Sequence, residues 1–203
     1  MDILEAESGS WKLTVVLIGA HKSWTRPVID TAKQERFASA LAIANPRPAA
    51  SCIAANTVMF ATGQHRAWQA HTLADGSHVL FSGHIANRHQ LRNELKVASC
   101  SDASLYAAGL AAWGNKIDLR AIGQFASIIV RPEGSEMQIA RSPIAAPPLN
   151  YWHDKDRFIV SSIASAIFST GEIEQRLDQQ KIADTLLLNY NEGARSWFEG
   201  VSR

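Results

Sequence analysis

The sequence predicts an α+β fold in which antiparallel sheets are covered by helices. Three observations point there. Most of the apolar, β-rich runs are joined by short turn segments, Asp75-Gly76, Pro132-Glu133-Gly134-Ser135 and His153-Asp154-Lys155-Asp156, which are hairpin rather than crossover connections. Helical patterns come in pairs instead of after every strand, which argues against a doubly wound parallel sheet. The chain has 203 residues, 46% of them hydrophobic, enough for one large domain with a real core.

In chain order, Trp11 to Ile18 is β-rich and apolar and is expected as a central strand ended by Gly19. Thr31 to Ala44 carries apolar residues at Phe37, Leu41 and Ile43 and is expected to be helical, stopping at Asn45-Pro46. Cys52 to Ala61 and Gln64 to Leu73 read as two strands around Gly63. Ser77 to Ser82 is the next strand, followed by a helix from Arg88 to Leu95 that Asn87 can N-cap. A second helix, capped by Ser101 or Asp102, runs through Tyr106 and Leu110 to Trp113 and stops at Gly114-Asn115. A short helix at Ile117 to Ile122 precedes two hairpins, Phe125 to Arg131 with Glu136 to Arg141, and Leu149 to Trp152 with Arg157 to Ser162. Helices at Ile163 to Phe168 and Lys181 to Tyr190 complete the pattern. The expected organisation is an N-terminal extension over residues 1–10, one domain over 11–192, and the start of a linker over 193–203.

Composition excludes several classes. The formal net charge is +1 and Lys and Arg are scattered, so no nucleic-acid partner is expected. No window approaches the roughly 20 apolar residues of a membrane span, and the acidic start Met1-Asp2-Ile3-Leu4-Glu5 is unlike a secretory signal, so a cytoplasmic setting is expected. The two cysteines, Cys52 and Cys100, form no CxxC pair and are expected as small buried hydrophobes.

Seven histidines invite a metal test, since five fall between His65 and His89. His65, His71 and His78 are spaced by six and seven residues, and His84 and His89 by five. None has the i, i+4 spacing of a helical zinc pair, and no metal site is expected. The chain holds no GxSxG elbow, no Walker A, no GxGxxG and no SGGxDS phosphate loop, so no cofactor is expected in it.

The stretch Val79 to Arg92 is the informative one: a strand, a glycine break and a capped helix. Phe81-Ser82-Gly83-His84-Ile85-Ala86-Asn87 followed by Leu91-Arg92 resembles the FNGEIYN…LR segment of class II glutamine amidotransferase domains, as in asparagine synthetase. Ser101-Asp102 with Trp113-Gly114 is similar to that family's SDTE…WG. Gly123-Gln124-Phe125-Ala126-Ser127 is similar to its GMFAF, Ile139-Ala140-Arg141-Ser142 with Pro148-Leu149-Asn150-Tyr151 to LARD…KPLYY, and Phe158 to Ser162 to its FASE strand. Trp197 to Arg203 resembles the segment before the family's LPPG linker. The resemblance implies an Ntn-hydrolase-like four-layer sandwich, two antiparallel sheets between helical layers. It also implies a chemistry: an N-terminal cysteine attacks the glutamine amide with its own α-amino group as base, an Asn-Gly pair forms the oxyanion hole, and an aspartate holds the substrate's amino group.

The departures from that pattern fall on the chemistry. Position 2 is Asp2, and no Cys, Ser or Thr precedes Ser8, whereas this mechanism requires nucleophile and amine on one terminal residue. No catalytic residue is therefore expected, and Cys52 and Cys100 are not substitutes. Ser82 stands where the family has its oxyanion Asn, His84 where it has Glu, and Ser142, Pro143 and Pro147 replace Asp, Arg and Lys of the ARDRFGIKPLYY stretch. Gly83 and Asp102 match. Ser82, Gly83, His84 and Asp102 are thus expected to mark a degenerate substrate pocket.

The resemblance then implies a non-catalytic glutaminase-like domain of an ATP-dependent amide-forming enzyme, of the macrolactam (lasso-peptide) or β-lactam synthetase kind. Its partners would be a C-terminal synthetase domain, on the same or a separate chain, which would use ATP and Mg, and a precursor peptide. Two alternatives stand beside it: a glutamine-hydrolysing domain supplying ammonia for asparagine synthesis, and an unrelated α+β binding module.

Overall fold

A computed structural model describes residues 16–21, 49–54, 57–61, 69–132, 136–155, 157–168, 171, 173–189 and 193–203. The expected helix at Thr31 to Ala44 and the extension at 1–10 lie outside them. The strands are β1 (Val16–His21), β2 (Ala49–Ala54), β3 (Thr57–Ala61), β4 (Gln69–Thr72), β5 (His78–Ile85), β6 (Gly123–Val130), β7 (Met137–Arg141), β8 (Asn150–His153) and β9 (Arg157–Ser161). The helices are α1 (Arg88–Leu95), α2 (Asp102–Trp113), α3 (Ile117–Arg120), α4 (Ala164–Phe168) and α5 (Gln179–Leu186).

Among the described residues the strands form two sheets, a five-stranded one ordered β2-β3-β1-β9-β8 and a four-stranded one ordered β4-β5-β6-β7. Their strand pairs are antiparallel throughout.

Period-two alternation sorts the side chains into layers. Val79, Phe81, Phe125 and Ile129 face α1 and α2 and join Leu91, Leu105, Tyr106 and Leu110 in one buried cluster. Their neighbours Leu80, Ala126 and Ile128 face the other way and meet Val160, Tyr151 and Phe158 of the first sheet and Leu149 just before β8. On the far side of that sheet, Ile159 and Trp152 pack with Ile167, Phe168, Phe198 and Val201. The order is helices, sheet, sheet, helix and C-terminal segment, the expected four-layer α+β sandwich.

Three sequence expectations change in detail. Gly19 does not end β1, which continues to His21 and pairs with both β3 and β9. A ladder on both sides outweighs glycine's weak strand preference. The apolar run Cys52 to Ala61 is not one strand but parts of two, β2 and β3, paired antiparallel with a register shift between Cys52 and Ala54. Hydrophobicity marks such a run as buried, and only pairing reveals where it folds on itself. The last helix spans Gln179–Leu186 rather than reaching Tyr190, because Leu188 takes a left-handed φ of 56°.

Residues 193–203 lie against the first sheet. Ser202 and Tyr151 exchange backbone hydrogen bonds of 2.9 Å each way, and Val201 is fully buried.

Candidate functional site

The site is built where β5 ends, β6 begins and α2 starts. Gly83 sits opposite Phe125, and Ile85 opposite Gly123. Gly83 has φ +125°, which a side chain rarely adopts, and a Cβ there would run into the Gln124 carbonyl and lie 2.6 Å from Phe125 Cα. Gly123 is its counterpart: a Cβ there would run into the His84 carbonyl. The two glycines let the strands approach more closely than side chains allow. Gly83 is thus kept by backbone geometry, and Ser82 beside it is buried opposite Ala126.

The helix side completes the junction. Ser101 caps α2, its Oγ accepting from the Ser104 N–H at 3.1 Å. Asp102, weighed as the alternative cap, is instead the first helical residue, and its carboxylate points back to the strand. Oδ2 accepts from the Ile85 N–H at 3.2 Å and from His84 Nδ1 at 3.0 Å. Oδ1 is buried without a hydrogen bond among the described residues, with Arg88 Nε 3.6 Å away, in ion-pair but not hydrogen-bond range. Arg88 also donates from Nη2 to the Cys100 carbonyl at 2.7 Å. A carboxylate only accepts, so His84 carries its proton on Nδ1 whenever this contact is made.

Asn87 stands at the N-cap position of α1 but makes no cap hydrogen bond with its side chain. Its amide spans the gap to α3, donating to the Arg120 carbonyl and accepting from the Ile122 N–H, both at 2.9 Å. Two donor-acceptor bonds to a facing loop outweigh one local cap. Ser142 has a comparable role: its Oγ accepts from the Phe125 N–H at 3.0 Å and lies 3.3 Å from the Ile144 carbonyl, to which it donates.

Of the four sequence-predicted positions, the structure brings His84 and Asp102 into contact, with Gly83 and Ser82 directly before His84 on β5. Arg88, Asn87 and Ser142 complete the junction without having been singled out as site residues. His84 lies near the end of β5 and Arg88 opens α1, so no single period along the chain links them. Cys100 is half-buried and unbridged. Cys52 lies on β2, in the other sheet. Among the described residues no group of three or more His, Cys, Asp and Glu converges as a metal site would need, and no helix is long and apolar enough to cross a membrane.

Deeper under α2, the Tyr106 hydroxyl donates to Asp118 Oδ1 and lies 2.8 Å from Ser127 Oγ. Burial, more than the bond to Asp118, pushes the Tyr106 hydroxyl far above its ordinary value, so it stays protonated. Burial also raises the Asp118 carboxyl, outweighing the opposing effect of the Tyr106 hydrogen bond.

The glutamine amidotransferase domain family matches residues 53–203, most of the chain. The chain belongs to that family. This amidotransferase domain is also similar in structure to glutamine phosphoribosylpyrophosphate amidotransferase from B. subtilis, in its complex with ADP and GMP, with a TM-score of 0.52 at 16% identity. The match covers 78% of this chain and 44% of that one, so this domain spans less than half of that protein's length. At such identity the likeness bears on the fold, the stacked antiparallel sheets derived above. Among curated proteins no sequence match is found.

Proposed function

We propose that this amidotransferase domain does not hydrolyse glutamine and serves as the structural or substrate-docking part of an ATP-dependent amide-forming enzyme related to asparagine synthetase. The observation that carries the reading is the state of Asp102. Its Oδ2 is taken up by His84 and the Ile85 N–H and its Oδ1 faces the Arg88 guanidinium at 3.6 Å, so a substrate's ammonium group would have to displace His84 and stand beside a fixed cation. Ser82 in place of an oxyanion-hole asparagine adds to it, since losing one such donor lowers turnover by roughly 100- to 1,000-fold.

Within this reading the partner is a synthetase domain, on the same or another chain, of the macrolactam- or β-lactam-forming kind. Such chemistry activates a carboxylate with ATP and Mg, and an amine already present on the substrate displaces the AMP. Ammonia from glutamine is then unnecessary. No phosphate loop lies in this chain, so the nucleotide belongs to the partner. A precursor peptide is the candidate guest.

Glutamate release from glutamine, followed by a coupled dehydrogenase assay, tests the reading. The expected rate is that of the blank. Family membership itself favours the second reading, a working glutaminase, and turnover that disappears in Asp102→Asn would establish it.

A further inference from the structure

We propose that the outer edge of β7 takes up an extended segment of another polypeptide, which joins the four-stranded sheet as a further strand. Its side chains would be apolar opposite Met137 and Ile139 and a carboxylate opposite Arg141. This goes beyond the proposed function and holds whether or not the domain hydrolyses glutamine. Two hydrogen bonds at the ends of the β6–β7 ladder fix which backbone groups are free. The Arg131 N–H donates to the Glu136 carbonyl and the Ser142 N–H to the Phe125 carbonyl, each at 2.9 Å, in the register that also pairs Ser127 with Ala140. Antiparallel pairs alternate between bonded and unbonded, so Gln138 and Ala140 bond to β6. The N–H and C=O groups of Met137, Ile139 and Arg141 therefore point away from it, and among the described residues no strand pairs with them.

The outer edge of β8 is covered by the chain itself, since Tyr151 and Ser202 exchange backbone hydrogen bonds. β7 has no such cover among the described residues, and it carries no Pro, no Lys and no bulge in its register to turn a strand away. Its side chains state which strand fits. Met137 and Ile139 are only partly buried and share a cluster with Tyr151 and Phe158, whose rings stack 5.9 Å apart. Cross-strand partners fall on one face, so apolar side chains opposite Met137 and Ile139 would extend that cluster. Arg141 is exposed, and no carboxylate among the described residues pairs with it. An acidic residue opposite it supplies the complementary charge. β4, the other edge of this sheet, offers Gln69, Ala70, His71 and Thr72, with no large apolar side chain to hold a guest.

The probe is a fluorescein-labelled peptide with blocked ends, Glu-Thr-Val-Thr-Phe. Laid antiparallel, it puts Glu opposite Arg141, Val opposite Ile139 and Phe opposite Met137. Fluorescence anisotropy with the full chain is expected to show saturable binding, with half-saturation at about 0.1–1 mM. Methylating the Val nitrogen, whose N–H faces Ile139, is expected to weaken binding at least about tenfold, and methylating the next Thr nitrogen to change it less than about twofold. Arg141→Glu is expected to lose this peptide and to bind the version that begins with Lys. No saturable binding, equal loss from both methylations, or an unchanged charge preference in Arg141→Glu overturns the proposal. Amide exchange tests the edge without a variant. In the free chain the Ile139 N–H is expected to exchange much faster than that of Gln138, and to slow when the peptide binds. An Ile139 amide already protected in the free chain, whether by a second copy or by another part of this one, overturns the proposal.

Discussion

Replacing Gly83 with alanine is the sharpest test of how the site is built. Two separate penalties meet at this position. The φ of +125° is a region that L-residues reach only with strain, worth about 1–3 kcal/mol. The new Cβ would also meet backbone, the Gln124 carbonyl and Phe125 Cα at 2.6 Å, rather than the yielding end of a side chain. Relief requires β5 and β6 to separate where the register pairs Gly83 with Phe125. Two controls split the effect. At Gly76 the φ is +83° but the nearest atom to a Cβ is Pro132 Cγ at 3.6 Å, so Gly76→Ala carries strain without a clash. At Gly123 no positive φ is involved and a Cβ meets the His84 carbonyl, so Gly123→Ala carries a clash without strain. The expected losses are about 1 kcal/mol for Gly76→Ala, about 2 for Gly123→Ala and at least about 3 for Gly83→Ala. Urea unfolding with the slope held in view measures them. A Gly83→Ala protein no less stable than Gly76→Ala would refute the close approach of these strands.

Other consequences follow from the same contacts. Ser142→Ala strips the buried Phe125 N–H of its side-chain acceptor and is expected to lower stability by about 1–3 kcal/mol in urea melts, with Ser142→Thr losing less. Ser101→Ala removes the α2 cap and is expected to lower stability by about 1 kcal/mol, whereas Asn87→Ala, which caps nothing, should loosen the 120–122 segment, read as faster amide exchange at Ile122. Burial holds the Asp118 carboxyl above its ordinary 3.8, so the folded state binds that proton more tightly than the unfolded chain does. Its contribution therefore favours the fold below pH 3.8 and is lost as the pH rises through the raised value. Asp118→Asn keeps an acceptor for Tyr106 without the charge, so its stability relative to wild type should rise across that window. A difference between the two that does not vary with pH would contradict this assignment.

Much of the architecture was legible because it depends on local signals. Asp75-Gly76 forms the turn it predicts, with the Ser77 N–H donating to Asp75 Oδ1 at 2.8 Å and Gly76 at positive φ. The strand pairs β6 with β7 and β8 with β9 follow from apolar runs around turn residues. The limit of α2 at Gly114 follows from glycine's tolerance of the φ of 60° found there. Where reading failed, a partner distant in sequence decided. Gly19 lies inside a strand because β3 and β9 flank it, and Asn87 leaves its helix end because Arg120 and Ile122 offer better bonds.

The sequence by itself determined the α+β class, most element limits and the kinship with glutamine amidotransferase domains, and it singled out Ser82, Gly83, His84 and Asp102 as candidates. These are written in turn residues, periodicity and ordered motifs, all properties of neighbours along the chain. Only the tertiary structure decided what the last two do to each other. His84 and Asp102 are 18 residues apart, and their 3.0 Å contact exists because two glycines let β5 and β6 close up while Ser101 starts α2 facing the strand's end. Whether an aspartate is free or already bound depends on which donors the fold places around it, and spacing along the chain does not encode that.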